Sequence, residues 1–154
     1  MMTSSAAEGV VYQIKASYIY NFLQFVRFSN SSISDQINVC IIGKNKFGQA
    51  LNPLKGAETP QGEITVTMLE YVTDPIQVAS CQVVYVVGSD ATFSQNVLDK
   101  VLSIGEFPAF IAMGGYIELF LENDSIHFRV NQKLVGHTQF KVAAQLLSLG
   151  ALDR

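Results

Sequence analysis

Ile37-Asn38-Val39-Cys40-Ile41-Ile42-Gly43 is a short apolar run that ends in glycine. A parallel strand covered on both faces has no solvent side to fill with polar residues, so it reads as an almost unbroken apolar run. Gln82-Val83-Val84-Tyr85-Val86-Val87-Gly88 repeats the pattern further along. Between them, Phe47 to Leu54 reads as a short helix stopped around Pro53 and Gly56, and Glu63 to Leu69 alternates like a strand. After the second run, Ser89 or Asp90 can cap a helix over Ala91 to Ser103. Phe110 to Met113 reads as another strand, and Gly115 to Leu121 pairs with Ser125 to Val130 as a hairpin around Glu122-Asn123-Asp124. Asn131 can cap the tail, where Gly136 precedes a helix from Thr138 to Leu149 that turns Phe140, Val142, Ala143, Ala144, Leu146 and Leu147 inward. Alternating strands and helices with a terminal hairpin predict an α/β, three-layer sandwich with a mixed, mostly parallel sheet and a C-terminal hairpin plus helix.

The 154 residues, 49% hydrophobic and 15% charged, suffice for one packed domain, read here as residues 10–152. A net charge of −3 argues against nucleic acid, which needs a basic surface. No apolar run approaches the roughly 18 residues that cross a bilayer, so direct membrane insertion is not expected. Residues 1–9 have neither the basic start nor the apolar stretch of a signal peptide. They read as a disordered or added N-terminus, one that can follow a removed signal and can equally be the start of a cytosolic protein.

The first helix carries Lys15-Ala16-Ser17-Tyr18-Ile19-Tyr20-Asn21-Phe22-Leu23-Gln24-Phe25-Val26. At helical spacing Val11, Ile14, Tyr18, Phe22 and Phe25 share a sector, widened by Val26, Ile19, Tyr12 and Leu23. Lys15 projects into that arc, and Asn21 lies at its edge. Gln13, Ser17, Gln24 and Arg27 face the other way, with Tyr20 on this more polar side.

Chemical motifs are sparse. Gly43-Lys44-Asn45-Lys46-Phe47-Gly48 follows a strand, but Gln49 and Ala50 stand where a phosphate loop needs Lys and Ser or Thr, so it reads as a strand-to-helix turn. Gly114-Gly115 reads as a chain reversal. His127 reads as a strand residue and His137, beside Lys141, as a solvated helix face; with so few companions they build no usual zinc site. No nucleophile elbow and no spaced acidic pair is present. The expectation is a protein that is not an enzyme and needs no metal or cofactor. Cys40 lies inside one buried strand and Cys81 at the start of another. They fit a disulfide in an oxidising compartment, or two thiols behaving as small hydrophobes.

Lys15-Ala16-x-Tyr18-x-Tyr20-Asn21-Phe22-x-x-Phe25-Val26 resembles the opening signature of the YfiR-like family of exported bacterial proteins. Ile37 to Gly43 with Phe47-Gly48, Ser80 to Val86, Gly114 to Ile117, Ile126 to Asn131 and Gln145 to Leu149 match in order behind it. The resemblance implies a periplasmic protein, its signal peptide removed, that binds the periplasmic part of an inner-membrane diguanylate cyclase or related receptor and holds it inactive, lowering cyclic di-GMP. It also implies a Cys40–Cys81 disulfide and a homodimer. For a protein-binding repressor the candidate contacts are Tyr20, Phe28, Tyr116 and Phe120. For the alternative, a periplasmic small-molecule sensor, Lys15 and Asn21 would line a pocket.

Overall fold

Strand β2 (Gln36–Ile42) lies in the interior of the sheet, buried over its last four residues, as its largely apolar run requires. The computed structural model describes residues 2–28, 36–89, 92–93, 98, 101–134, 140–142, 146 and 151–152. They form a long helix α1 (Met2–Gln24), which takes in residues 2–9, followed by β1 (Val26–Phe28) and β2. Then come β3 (Glu58–Thr59), β4 (Gly62–Leu69), β5 (Tyr71–Val72), β6 (Val83–Val86), β7 (Thr92–Phe93) and β8 (Leu102–Gly105). β9 (Ile117–Glu122), β10 (Ser125–Val130), β11 (Phe140–Val142) and β12 (Ala151–Leu152) complete the order.

Eight strands make one sheet in the order β12-β10-β9-β8-β6-β2-β4-β3. Only β9–β10 and β3–β4 run antiparallel, so the sheet is mixed and mostly parallel. Side chains alternate across it. Ile37, Val39 and Ile41 of β2 join Val83 and Tyr85 of β6 under α1, while Cys40, Ile42, Val84 and Val86 face a second cluster with Val72, Val78, Leu98, Val101 and Phe110. Both faces are thus dry, which is why β2 and β6 carry no solvent-facing side. Asn38 of β2 accepts from the hydroxyls of Thr65 (3.1 Å) and Thr67 (3.0 Å) on β4.

The hairpin forms as expected, with Asn123 and Asp124 both at positive φ (54° and 64°), the backbone that a two-residue reversal demands. Asn131 caps a short 3₁₀ turn (Gln132–Leu134) by accepting from the Lys133 amide at 3.1 Å.

Four expectations are corrected. The buried stripe of α1 is Tyr12, Ala16, Ile19, Phe22 and Leu23, turned by one residue's angle from the sector around Tyr18, so Ile14 is exposed. Within the stretch read as a helix over Ala91 to Ser103, Thr92–Phe93 pairs with β5 and Leu102-Ser103 belongs to β8. Ser103 mimics a polar helix face, yet it is buried, its hydroxyl accepting from the Tyr116 amide at 2.9 Å. Phe110 to Met113 is a turn whose apolar side chains roof the second cluster. In the tail, Phe140–Val142 is extended and pairs antiparallel with β1, Val26 opposite Val142. Period two and period 3.6 cannot be told apart over three residues. Leu146 is helical and buried; 135–139, 143–145 and 147–150, with Ala143, Ala144 and Leu147 of the expected inward face, lie outside the described residues.

The ring of Phe110, fully buried, fills the space where a β-carbon would stand on both Gly105 and Gly115. Gly115→Ala must therefore evict a core ring. We expect a loss of about 2–3 kcal/mol in chemical denaturation, and an unchanged midpoint would refute the packing described.

Candidate functional site

The helix that recognises the sheet also carries the polar chemistry, on two opposite sides. On the buried side, Lys15 Nζ lies 3.3 Å from Glu106 Oε2, both side chains about nine-tenths buried (12% and 8% exposed). Glu106 directly follows β8, at the carboxyl end of the parallel strands. Its two oxygens accept from the hydroxyls of Tyr12 (2.6 Å) and Tyr85 (2.7 Å). Lys15 also sits over the Tyr12 ring at 4.4 Å, and Phe47 packs edge-on against both Tyr12 and Tyr85. Burial, reinforced by the Glu106 charge and hydrogen bond, pushes the Tyr85 hydroxyl well above its ordinary range, so it stays a donor. A carboxylate with three donors and a cation with one acid and one ring form a closed arrangement. It clamps α1 to the sheet.

On the solvent side, α1 and the segment after β2 enclose a groove of about 690 Å³. Gln13, Ser17, Tyr20 and Asn21 form the helix wall, and Gln49, Ala50, Pro53 and Leu54 the other. Among the described residues that line it, none carries a formal charge. Tyr20 is 37% exposed, its hydroxyl 3.5 Å from the Glu58 carbonyl. Val10 and Ile14 continue this face toward the helix start, 53% and 40% exposed.

Lys15 and Asn21 do not share a pocket. Six residues turn a helix by about 240°, which sends one into the Glu106 cluster and the other to the groove. Phe28 is half-buried in β1, its amide donating to Gln61 Oε1 at 2.9 Å. Tyr116 is 2% exposed, and burial pushes its hydroxyl up to about 12. Phe120 stacks on His127, with the Arg129 guanidinium 4.2 Å from its ring. His137 lies outside the described residues. Glu106 escaped the sequence reading because one acid after a glycine has no signature; the signal was Lys15, a cation in an apolar arc that demands a counter-ion.

Cys40 and Cys81 form a disulfide, with Cα atoms 6.0 Å apart. It joins β2 to the start of β6, inside the second cluster. Among the described residues no three His, Cys, Asp or Glu side chains gather to hold a metal ion, and no helix is long and apolar enough to cross a membrane.

Residues 12–151 match the model of the YfiR/HmsC-like family, and the chain belongs to that family. No curated protein matches the chain.

Proposed function

We propose that this chain is a non-enzymatic periplasmic regulator that binds the periplasmic part of an inner-membrane diguanylate cyclase, or a related receptor, and represses it. Family membership over residues 12–151 supports the regulatory role, and the disulfide suits an oxidising compartment. The observation that carries the binding reading is the outer face of α1, where Val10, Ile14 and Tyr20 stand exposed beside an uncharged groove. Aliphatic and aromatic groups on a rigid helix are what a partner surface can bury at little entropic cost. Tyr20 is the proposed anchor, and Asn21 its hydrogen-bonding neighbour. Phe28 and Tyr116, half-buried and buried, support the domain from within.

Co-expression with the receptor tests this reading. Wild-type protein is expected to retain the receptor on affinity capture and to lower cyclic di-GMP, and Tyr20→Ala to weaken capture by about tenfold. Unchanged cyclic di-GMP in the presence of the wild type would sink the repressor reading.

The groove itself favours a second reading, a small-molecule sensor. Its volume lies within the roughly 300–1,000 Å³ of ligand sites. With no charged lining, it suits a neutral hydroxyl- or amide-bearing molecule rather than an anion. Calorimetry with a neutral disaccharide and with phosphate separates the two: heat from the first alone supports this reading, and silence from both removes it.

A further inference from the structure

One flank of β4 is closed and the other is open. Glu63 to Leu69 face Gln36 to Ile42 of β2, whereas on the far side β3 covers only Gly62 and Glu63. Beyond β3, Ile64 is also tied down: its amide donates to the Ala57 carbonyl at 2.8 Å, and its carbonyl accepts from the Gly56 amide at 2.9 Å, both away from β2. Leu69 points the other way, its carbonyl accepting from the Gly43 amide at 2.9 Å on the β2 side. Alternation along the strand then turns the amides and carbonyls of Val66 and Met68 outward. Among the described residues, nothing hydrogen-bonds to them.

A sheet edge left bare is ordinarily blunted by charge, proline, a bulge or a covering loop. Ile64 to Leu69 contain no charge, proline or glycine. Two amides and two carbonyls alternating along one line in the sheet plane are satisfied together by one kind of partner, another extended backbone. The charges around the gap say what that backbone carries. Glu58 and Glu63 stand exposed at one end and Glu70 at the other, and Gly56 to Gly88 contain no Lys or Arg. Among the described residues, none of these three acids is in an ion pair. We infer that the outer edge of β4 takes up, as an added strand, an extended segment of a different protein that is uncharged in its middle and carries Lys or Arg at both ends.

The side chains of β4 set the pattern of the segment between those ends. Val66 packs against the cluster beneath α1, and Met68 on the same face is 40% exposed, so apolar side chains of the added strand gain cover there. Thr65 and Thr67 line the opposite face, where hydroxyl-bearing residues make the favourable cross-strand pairs. Alternating apolar and hydroxyl side chains therefore suit the middle, and basic side chains suit the flanks. A second copy of β4 suits the edge less well. Paired antiparallel about Thr67, it would set Glu70 of one copy opposite Ile64 of the other and so beside Glu63, like charges at both ends of the seam. The inference does not rest on the reading of the α1 face given above.

Hydrogen exchange of the full, disulfide-intact chain tests it, with two capped peptides of alternating threonine and valine, one bearing lysine at both ends and the other glutamate. The lysine peptide is expected to protect the Val66 and Met68 amides, which exchange rapidly in the protein alone. The glutamate peptide should bind about tenfold more weakly at low salt, since like charges replace opposite ones across the strands. Glu70→Lys, at an exposed position just past β4, should remove most of that preference without altering the circular dichroism spectrum. Failure of both peptides to protect the two amides overturns the inference, and equal binding of the two peptides overturns the basic partner. Protection of both amides in concentrated protein alone, lost on dilution, would give the edge to a second copy and overturn it as well.

Discussion

Reducing the Cys40–Cys81 bridge is expected to cost about 4 kcal/mol of stability, from the entropy of the 41-residue separation that it closes in the unfolded chain. Between its ends lie β3, β4 and β5, which include the edge on which β2 depends. The bond is buried, Cys40 and Cys81 being 1% and 6% exposed. A mild thiol should therefore reduce it only through opening of the second cluster. Urea unfolding of wild type and of Cys40→Ala/Cys81→Ala checks the size. The alanine pair also removes two buried sulfurs, so its loss should match or exceed that of the reduced wild type. A loss below about 1 kcal/mol would mean that the unfolded chain already holds these strands together.

Glu106→Ala should be the most damaging single change on the helix side. It deprives Lys15 of its counter-ion and two tyrosine hydroxyls of their acceptor, all in a nearly dry site. Removing one partner of a buried pair costs about 3–5 kcal/mol, because the remaining charge stays desolvated. Lys15→Met should cost much less, since Glu106 retains both tyrosine donors and the methionine fills the stem's volume. In the double variant Lys15→Met/Glu106→Gln, stability should return most of the way to that of Lys15→Met. With Glu106→Gln as the second single variant, wild type, the two singles and this double form a cycle, and additive losses would show that Lys15 and Glu106 are not coupled.

The parallel strands and the hairpin were legible because burial leaves a plain trace: apolar runs for β2 and β6, alternation for β4, β9 and β10. Residues that broke that trace were misread for identifiable reasons. Ser103 was read as the end of a helix, whereas it lies in β8 with its hydroxyl satisfied internally by the Tyr116 amide. Phe110 to Met113 looked like a strand because a loop that roofs a core must itself be apolar. Phe140-Lys141-Val142 is too short for periodicity to decide. At the site, Lys15 announced that it needed a partner, but only the sheet brings Glu106 beneath it. The groove was out of reach too, since its second wall is a turn whose placement depends on how β2 meets β4. Tyr20 was read on the helix's more polar side, where it is exposed, and Asn21 at the edge of the apolar arc. Lys15 was grouped with Asn21 despite a helical spacing that sends them apart.

The pairing of β1 with β11 joins segments more than a hundred residues apart. The first helix likewise rests on late strands, Tyr18 donating to the Ile126 carbonyl at 2.7 Å and Phe22 meeting Phe128 edge-on. A chain emerging from a ribosome or a translocation channel therefore presents α1 long before anything exists to cover it. Contacts this distant slow folding, since loop closure precedes its reward. An aromatic, nearly uncharged helix waiting in that state is the kind of segment that a holding chaperone would grip. Release of the finished fold should then be timed by the arrival of Phe140–Val142, the segment that pairs with β1.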